Sequence, residues 1–299
     1  DRVLALSMPA RQAFVPEIIP ERLIFTAMAL NTTGWNLSRI IGPAMAGLLI
    51  AWLAGGDKTS AYGVGIVYLV IASLYLFSAV TVLKVDVPGK AERDRDGDSL
   101  SDMQEGLRYV IAHPQVFALI VLSILPFLFG MPLNTLLPAF NQDVLQGQAD
   151  DLGYLISAMG GGAIIGSLLM AAMGNLRRKG FWLIVSCLGW GVVTAAFGAF
   201  DLQVIALALI ALIGMLSSWN MSLNRGMLQM AVEGHMRGRI MSIDMMSHGL
   251  MPLGVFPISL VAEYHGVGAA LVVSGCALMV ITLLVTFFLP SVRRTLWAD

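Results

Sequence analysis

The stretch Asn36-Leu-Ser-Arg-Ile-Ile-Gly-Pro-Ala-Met-Ala-Gly47 opens the first long apolar segment of the chain. Its small residues, Gly42 and Gly47 among them, recur at helical spacing and give one helix face that a neighbouring backbone can approach closely. Pro43 lies inside that face, where it removes a backbone hydrogen bond that neighbouring helices must replace in lipid. Arg39 must snorkel or form an ion pair, because a bare guanidinium in hydrocarbon is costly. The stretch therefore predicts a membrane helix packed closely against others.

The composition assigns the whole chain to the same class. Of its 299 residues, 57% are hydrophobic and 12% are charged, and the mean hydropathy is +0.79. Soluble domains are only roughly 45–50% apolar. The sequence therefore predicts an all-α polytopic membrane protein. Its two cysteines, Cys187 and Cys276, match no disulfide or metal spacing, and we expect no cofactor or metal.

Eight apolar runs are long enough to cross a bilayer, which takes roughly 17–25 residues. We expect these spans at residues 36–54, 62–84, 115–138, 152–174, 181–200, 203–223, 240–262 and 267–290. Prolines interrupt the third and the seventh span, at Pro126 and Pro132 and at Pro252 and Pro257. This pattern predicts two helices that are bent or broken inside the membrane.

Basic residues alternate between the loops that separate these spans. They precede the first span and follow the second, fourth, sixth and eighth, whereas the other loops carry Lys58 and acids. The later basic loops contain Arg177, Arg178, Lys179, Arg225, Arg237 and Arg239. By the positive-inside rule, both ends of the chain are predicted to be cytoplasmic.

The polar loop between the second and third spans divides the chain. We expect residues 1–84 to end one helical bundle, residues 85–114 to form a cytoplasmic loop, and residues 115–299 to form a six-helix bundle with a short tail. Within the loop, Ser101 predicts the start of an amphipathic helix over residues 102–112. Its apolar residues, Met103, Leu107, Val110 and Ile111, predict that it lies along the inner membrane surface. The acids between Asp94 and Glu105 have part of the spacing of a calcium loop, but their glycine is misplaced, which favours a solvated linker.

Asp244 and His248 lie four residues apart on one face of the seventh span. Ionisable residues inside a membrane helix are functional candidates by default, and this pair fits a proton relay or a substrate contact. The alternative is that Asp244 lies at the interface and pairs with a basic residue such as Arg239. The sequence leaves both interpretations open.

A second group of candidates is polar but uncharged. Asn220, Ser222, Asn224 and Gln229 lie near the inner end of the sixth span, and Asn134 lies in the broken third span. These side chains could contact substrate or bond to neighbouring helices. The glycine pair Gly162 and Gly166 favours close packing within the bundle over dimerisation, and we expect a monomer.

Several motifs together resemble a known family. They are Pro9-Ala-Arg-Gln-Ala-Phe-Val-Pro16, the opening stretch itself, Glu105-Gly-Leu-Arg-Tyr-Val with His113-Pro114, and Arg237-Gly-Arg-Ile-Met-Ser242. The chain resembles the major facilitator superfamily, in its bacterial branch that includes enterobactin and macrolide exporters. The resemblance implies a twelve-helix fold in which this chain supplies helices five to twelve, with the first four expected before Asp1. It also implies an antiport motif at Gly42-Pro43, whereas the family's basic loop motif survives only in part at Gly174-Asn-Leu-Arg-Arg-Lys-Gly180.

The resemblance implies a transport function, and the apolar composition fits its membrane location. We expect a proton-coupled exporter of a hydrophobic or amphipathic small molecule, such as a drug or siderophore, in the bacterial cytoplasmic membrane. The expected partners are the lipid bilayer, the substrate and protons, without nucleic acid. The sequence lacks the phosphate loop of an ATP-driven pump and the common hydrolase motifs, which argues against an enzyme. The alternative is a membrane sensor or scaffold that keeps the bundle without transport.

Overall fold

In the computed structural model of the chain, all regular secondary structure of the described residues is helical, which confirms the all-α membrane class. The structure describes residues 19–20, 23–24, 26–34, 37–38, 45, 61–83, 99–173 and 178–288. Two compact units are present, one made of Asp1–Thr33 with Glu92–Asp299 and the other of Gly34–Ala91. The division predicted at residues 84 and 114 is not tested by these units and stays a prediction.

Most of the described helices belong to the larger unit. Helix α1 covers residues 24 and 26–34, and the later helices are α3 (Ser99–Ala112), α4 (Pro114–Asp143), α5 (Ala149–Ala172), α6 (Lys179–Ala199), α7 (Gln203–Ala231), α8 (Arg237–Met246), α9 (Met251–His265) and α10 (Val267–Phe288). Helix α2, Ala61–Leu83, is the long helix described in the smaller unit. A 3-10 turn, Ser247–Leu250, joins α8 to α9.

Six elements in the described residues are long and apolar enough to cross a membrane. They are α4, α5, α6, α7, the α8–α9 pair and α10, and they correspond to the six spans expected after residue 114. Helix α7 ends at Ala231, eight residues beyond the predicted end, because its polar side chains find partners inside the bundle. The first predicted span, with Arg39, Gly42, Pro43 and Gly47, lies almost wholly outside the described residues, so the count of eight stays a prediction.

Glycines let two helix pairs approach at backbone distance. A Cβ atom on Gly162 of α5 would lie 1.8 Å from the carbonyl oxygen of Ala211 in α7, and Gly166 meets the next turn of α7 in the same way. A Cβ atom on Gly275 of α10 would lie 2.4 Å from the carbonyl oxygen of Gly191 in α6. The expected close packing of the Gly162 and Gly166 face is therefore present, and it holds α7 at a defined position.

Helix α4 bends at a π-helical turn, Pro126–Gly130, as its prolines predict. Two neighbouring helices cover the backbone there. Ser274 of α10 donates a hydrogen bond from Oγ to the carbonyl oxygen of Phe129 over 2.6 Å. A Cβ atom on Gly254 of α9 would lie 1.9 Å from the carbonyl oxygen of Leu128. These contacts satisfy and shield the irregular backbone, which a lipid-exposed helix could not tolerate.

Helix α3 differs from its predicted form in two respects. It begins at Ser99, so Ser101 is the third residue of the helix and does not precede it. Its apolar residues also divide between two faces. Val110 is buried against the bundle, whereas Leu107 and Ile111 are exposed. Gly106 provides the buried contact with α8 that the hydrophobic pattern could not reveal, because glycine has no apolar side chain. The acids from Asp94 to Asp98 lie outside the described residues.

Candidate functional site

A narrow cleft lies between α4 and α7, just before the π-helical turn. Its lining combines apolar and polar side chains, as ligand sites commonly do, and consists of Ser123, Pro126, Phe127, Asn220, Met221, Asn224 and Arg225. The cavity volume is about 10 Å³, which is close to the room that one water molecule needs. Because a drug-sized ligand needs about 300–1,000 Å³, the cleft in this conformation can hold only part of such a ligand.

Asp244 is buried beside this cleft, with 2% of its surface exposed. Its Oδ1 atom accepts a hydrogen bond from Ser123 Oγ over 2.6 Å, which links α8 to α4. Arg239, the expected partner in the interface interpretation, forms an ion pair with Glu105 instead, at 3.0 Å. The side chain of His248 lies outside the described residues, so its pairing with Asp244 stays a prediction.

Two of the predicted amide side chains reach the cleft from α7. Asn220 donates from Nδ2 to the carbonyl oxygen of Leu183 over 3.1 Å and to Ser186 Oγ over 3.0 Å, both in α6. Asn224 donates from Nδ2 to the carbonyl oxygen of Leu119 in α4 over 3.1 Å. Its Oδ1 atom is buried and has no hydrogen-bond partner among the described residues. Both amides therefore join helices, and Asn224 keeps one unused acceptor at the cleft.

Arg225 also lines the cleft, although the sequence placed it in a loop after the sixth span. It lies within α7, six residues before the end of the helix at Ala231. The two ion pairs between described residues join Glu105 to Arg239 and Glu233 to His235, so Arg225 has no acidic partner there. A half-buried guanidinium without a carboxylate is unusual, because desolvated charges are normally paired.

Helix α1 packs on α5 and α7 through hydroxyl groups. Ser222 of α7 donates to Thr32 Oγ1 over 3.2 Å, and Thr33 shares a short hydrogen bond with Ser167 of α5. Thr26 donates to the carbonyl oxygen of Ala171 over 3.5 Å. Ser222 thus bonds to a neighbouring helix and is absent from the cleft lining. Hydrogen bonds of this kind hold membrane helices together with modest energies, about 0.6 kcal/mol on average.

The remaining predicted residues lie away from the cleft or outside the described part. Asn134 donates from Nδ2 to the carbonyl oxygen of Met131, one turn away on α4, over 3.5 Å. Arg237 donates from Nε to the carbonyl oxygens of Gln229 and Val232, each over 3.2 Å, and so closes the end of α7. Arg178 and Lys179 begin α6, whereas Arg177 is outside the described residues. The searched part of the chain holds no group of three residues that could bind a metal ion.

Two residues at the cleft carried little sequence signal. Ser123 is one hydroxyl in an apolar run, and nothing in the sequence connects it to an acid 121 residues later. Arg225 follows the point where hydropathy falls, which ordinarily marks the end of a span. The useful signal was the spacing of Asn220, Met221, Asn224 and Arg225, which share one helix face.

The family follows from comparison with known proteins. A family model described as a transmembrane secretion effector matches residues 3–295, almost the whole chain. The chain belongs to this family of the major facilitator superfamily. The family expected from the sequence motifs is confirmed, and with it the multi-pass membrane location and a small-molecule substrate.

Three relatives illustrate what this major facilitator chain is similar to. It is 26% identical over 283 residues to the staphyloferrin A transporter of Staphylococcus aureus, covering 95% of this chain and 68% of the relative. It is 23% identical over 283 residues to macrolide efflux protein A of Streptococcus pyogenes, covering 93% and 68%. It is 28% identical over 236 residues to the enterobactin exporter of Shigella boydii, covering 79% and 54%. The names of all three relatives describe transporters.

Proposed function

We propose that this protein exports a hydrophobic or amphipathic small molecule across the bacterial cytoplasmic membrane in exchange for protons. The names of the relatives support the export of siderophores or drugs. The observation that carries the proton part is the buried Asp244 carboxyl group, which accepts a hydrogen bond from the neutral Ser123 hydroxyl and has no ion pair among the described residues.

Protonation of Asp244 alters the contact between α8 and α4. The ionised carboxylate can only accept hydrogen bonds, and it does so from Ser123. The protonated acid carries a donor of its own, so the Ser123 hydroxyl becomes free to turn towards the cleft that it lines. Proton binding thereby changes the hydrogen-bonding groups that the cleft offers to substrate.

Alternating access then requires the cleft to open on each side of the membrane in turn. On the side predicted to be cytoplasmic, the hydroxyl contacts of α1 with α5 and α7 are weak enough to break and reform in each cycle. On the other side, the π-helical turn of α4 provides the bend about which its outer half can move.

Transport driven by a pH gradient tests this proposal. Inverted vesicles that contain the intact protein should accumulate radiolabelled enterobactin, the substrate named for one relative, when their lumen is acidic. Asp244→Asn keeps the size of the side chain and its acceptor oxygen but cannot titrate. This variant should still exchange labelled for unlabelled enterobactin, while gradient-driven accumulation falls to the level of empty vesicles.

Asp143→Asn is the matched control, because Asp143 is an exposed acid at the far end of α4. It should accumulate enterobactin like the parent protein. Equal accumulation by Asp244→Asn and the parent, at equal protein levels, would exclude Asp244 as the coupling residue. A parent protein that neither accumulates nor exchanges macrolide or enterobactin would favour the sensor or scaffold alternative.

A further inference from the structure

Arg225 is the one cation in the lining of the cleft. The next two arginines along the chain, Arg237 and Arg239, already have partners. Arg237 bonds two backbone carbonyl oxygens at the end of α7, and Arg239 is paired with Glu105. Arg225 has no acidic partner among the described residues. Its charge is therefore available for a group that enters the cleft.

The position of Arg225 along α7 suits a group that enters from one side of the membrane. The helix has 29 residues and is about 43 Å long, whereas the hydrocarbon core is about 30 Å thick. Arg225 lies six residues, or about 9 Å, from the end of the helix that the basic residues predict to be cytoplasmic. The guanidinium can stay partly hydrated at the mouth of the cleft until a ligand arrives.

Asn224 gives a second, independent indication of which chemical groups a ligand of the cleft must carry. Asn224 precedes Arg225 in the chain and lines the same cleft. Its Oδ1 atom is buried and has no hydrogen-bond partner among the described residues. This amide oxygen can accept a hydrogen bond from an N–H or O–H group of a ligand. A ligand that satisfies both residues has an anionic group close to a hydrogen-bond donor, and apolar parts that fit beside Pro126 and Phe127.

We infer that Arg225 selects anionic amphipathic substrates, above all carboxylates, by pairing with their charge at the mouth of the cleft. The inference rests on the proposed export function, of which it specifies the substrate class. The planar guanidinium can bind both oxygens of a carboxylate, which a lysine ammonium cannot match. Neutral molecules of the same size and shape leave this charge unpaired and bind more weakly.

Equilibrium binding of two matched probes tests the inference. Dansylglycine carries a carboxylate next to a sulfonamide N–H, and dansylglycinamide keeps the ring and the N–H but is neutral. Binding to the purified intact protein in detergent is measured by dansyl fluorescence. The parent protein should prefer the carboxylate by roughly ten- to a hundredfold in Kd, the range expected for hydrogen bonds to a charged group.

Substitutions then assign that preference to Arg225. Arg225→Gln should bring the ratio of the two Kd values close to one, and Arg225→Lys should keep part of it. Arg239→Gln is the matched control, because it removes an arginine charge outside the cleft lining and should leave the ratio unchanged. If Arg225→Gln does not give a monodisperse protein, Asn224→Asp replaces it, since a carboxylate beside Arg225 should compete with the probe and lower the preference.

Two results would overturn the inference. One is a parent protein without a carboxylate preference, including one that binds neither probe. The other is an Arg225→Gln or Asn224→Asp variant that keeps the full preference. Because binding is measured without a pH gradient, a failure here is distinct from a failure of proton coupling. A protein that prefers dansylglycine but never accumulates enterobactin in a pH gradient would refute only the proposed function.

Discussion

Replacing Gly162 by alanine should push α5 away from α7, whereas the same change at Gly161 should not. The two glycines are consecutive residues of α5, so both substitutions add one methyl group to the same turn of the same helix. A Cβ atom on Gly162 would lie 1.8 Å from the carbonyl oxygen of Ala211 and 2.6 Å from its carbonyl carbon. A Cβ atom on Gly161 meets nothing within 4 Å. The pair therefore isolates the effect of one methyl group at the helix contact.

The distances give the size of the effect. Non-bonded heavy atoms rest about 3.5–4.0 Å apart, so the two helices would have to separate locally by about 1.7 Å. The clashing atoms belong to the backbone and cannot move aside as a flexible side chain does. Overpacking of this kind costs about 1–3 kcal/mol. Gly161→Ala should instead stabilise the protein by up to about 1 kcal/mol, because alanine is the better helix former.

Thermal unfolding of the purified protein in detergent, followed by tryptophan fluorescence, measures the difference. Each kcal/mol corresponds to about 2–4 °C in the Tm of a domain of 150–250 residues. Gly162→Ala should therefore melt several degrees below the parent and Gly161→Ala at or slightly above it. Equal melting temperatures for the two variants would refute the close approach of α5 and α7 at this position.

The topology and the bend in α4 give two further predictions. Reporter fusions after Gln146, Asp201 and His265 should be external and fusions after Lys179 and His235 internal, because the basic residues alternate between loops; one inverted site would contradict the assignment of that loop. Ser274→Ala removes the hydrogen bond to the Phe129 carbonyl oxygen at the π-helical turn and should cost about 1–3 kcal/mol, since that oxygen is left without its partner. Ser274→Thr keeps the hydroxyl and should cost less, and an unchanged Tm for Ser274→Ala would show that the contact does not stabilise the bend.

The sequence identified Asp244 as a candidate site residue but could not identify its partner. Its ionisable side chain inside an apolar span identified it as a candidate, because a charge in hydrocarbon is energetically costly and is usually kept for function. Whether it lay at the interface beside Arg239 or inside the bundle could not be decided, since both residues are on the same helix. The structure separates them, because Glu105 of α3 pairs with Arg239 while Ser123 of α4 donates a hydrogen bond to Asp244.

Arg225 shows the opposite case. The hydropathy pattern predicted that the sixth span ends at residue 223, because a hydropathy scale scores polar side chains as unfavourable in the membrane whether or not they have partners in the bundle. In the bundle, Asn220 and Asn224 bond to α6 and α4, so the helix continues through them to Ala231. Arg225, which was predicted to lie in a loop, therefore lines the cleft.

The sequence by itself determined the membrane class, the six spans after residue 114, the glycine contact surface of α5 and the family. These follow from apolar run length, small-residue spacing and short motifs, which are local properties of the chain. Only the tertiary structure decided which polar groups share a cleft and which partner each one has. Such partners are fixed by contacts between helices distant in sequence, as in the hydrogen bond from Ser123 to Asp244, and short-range patterns do not record them.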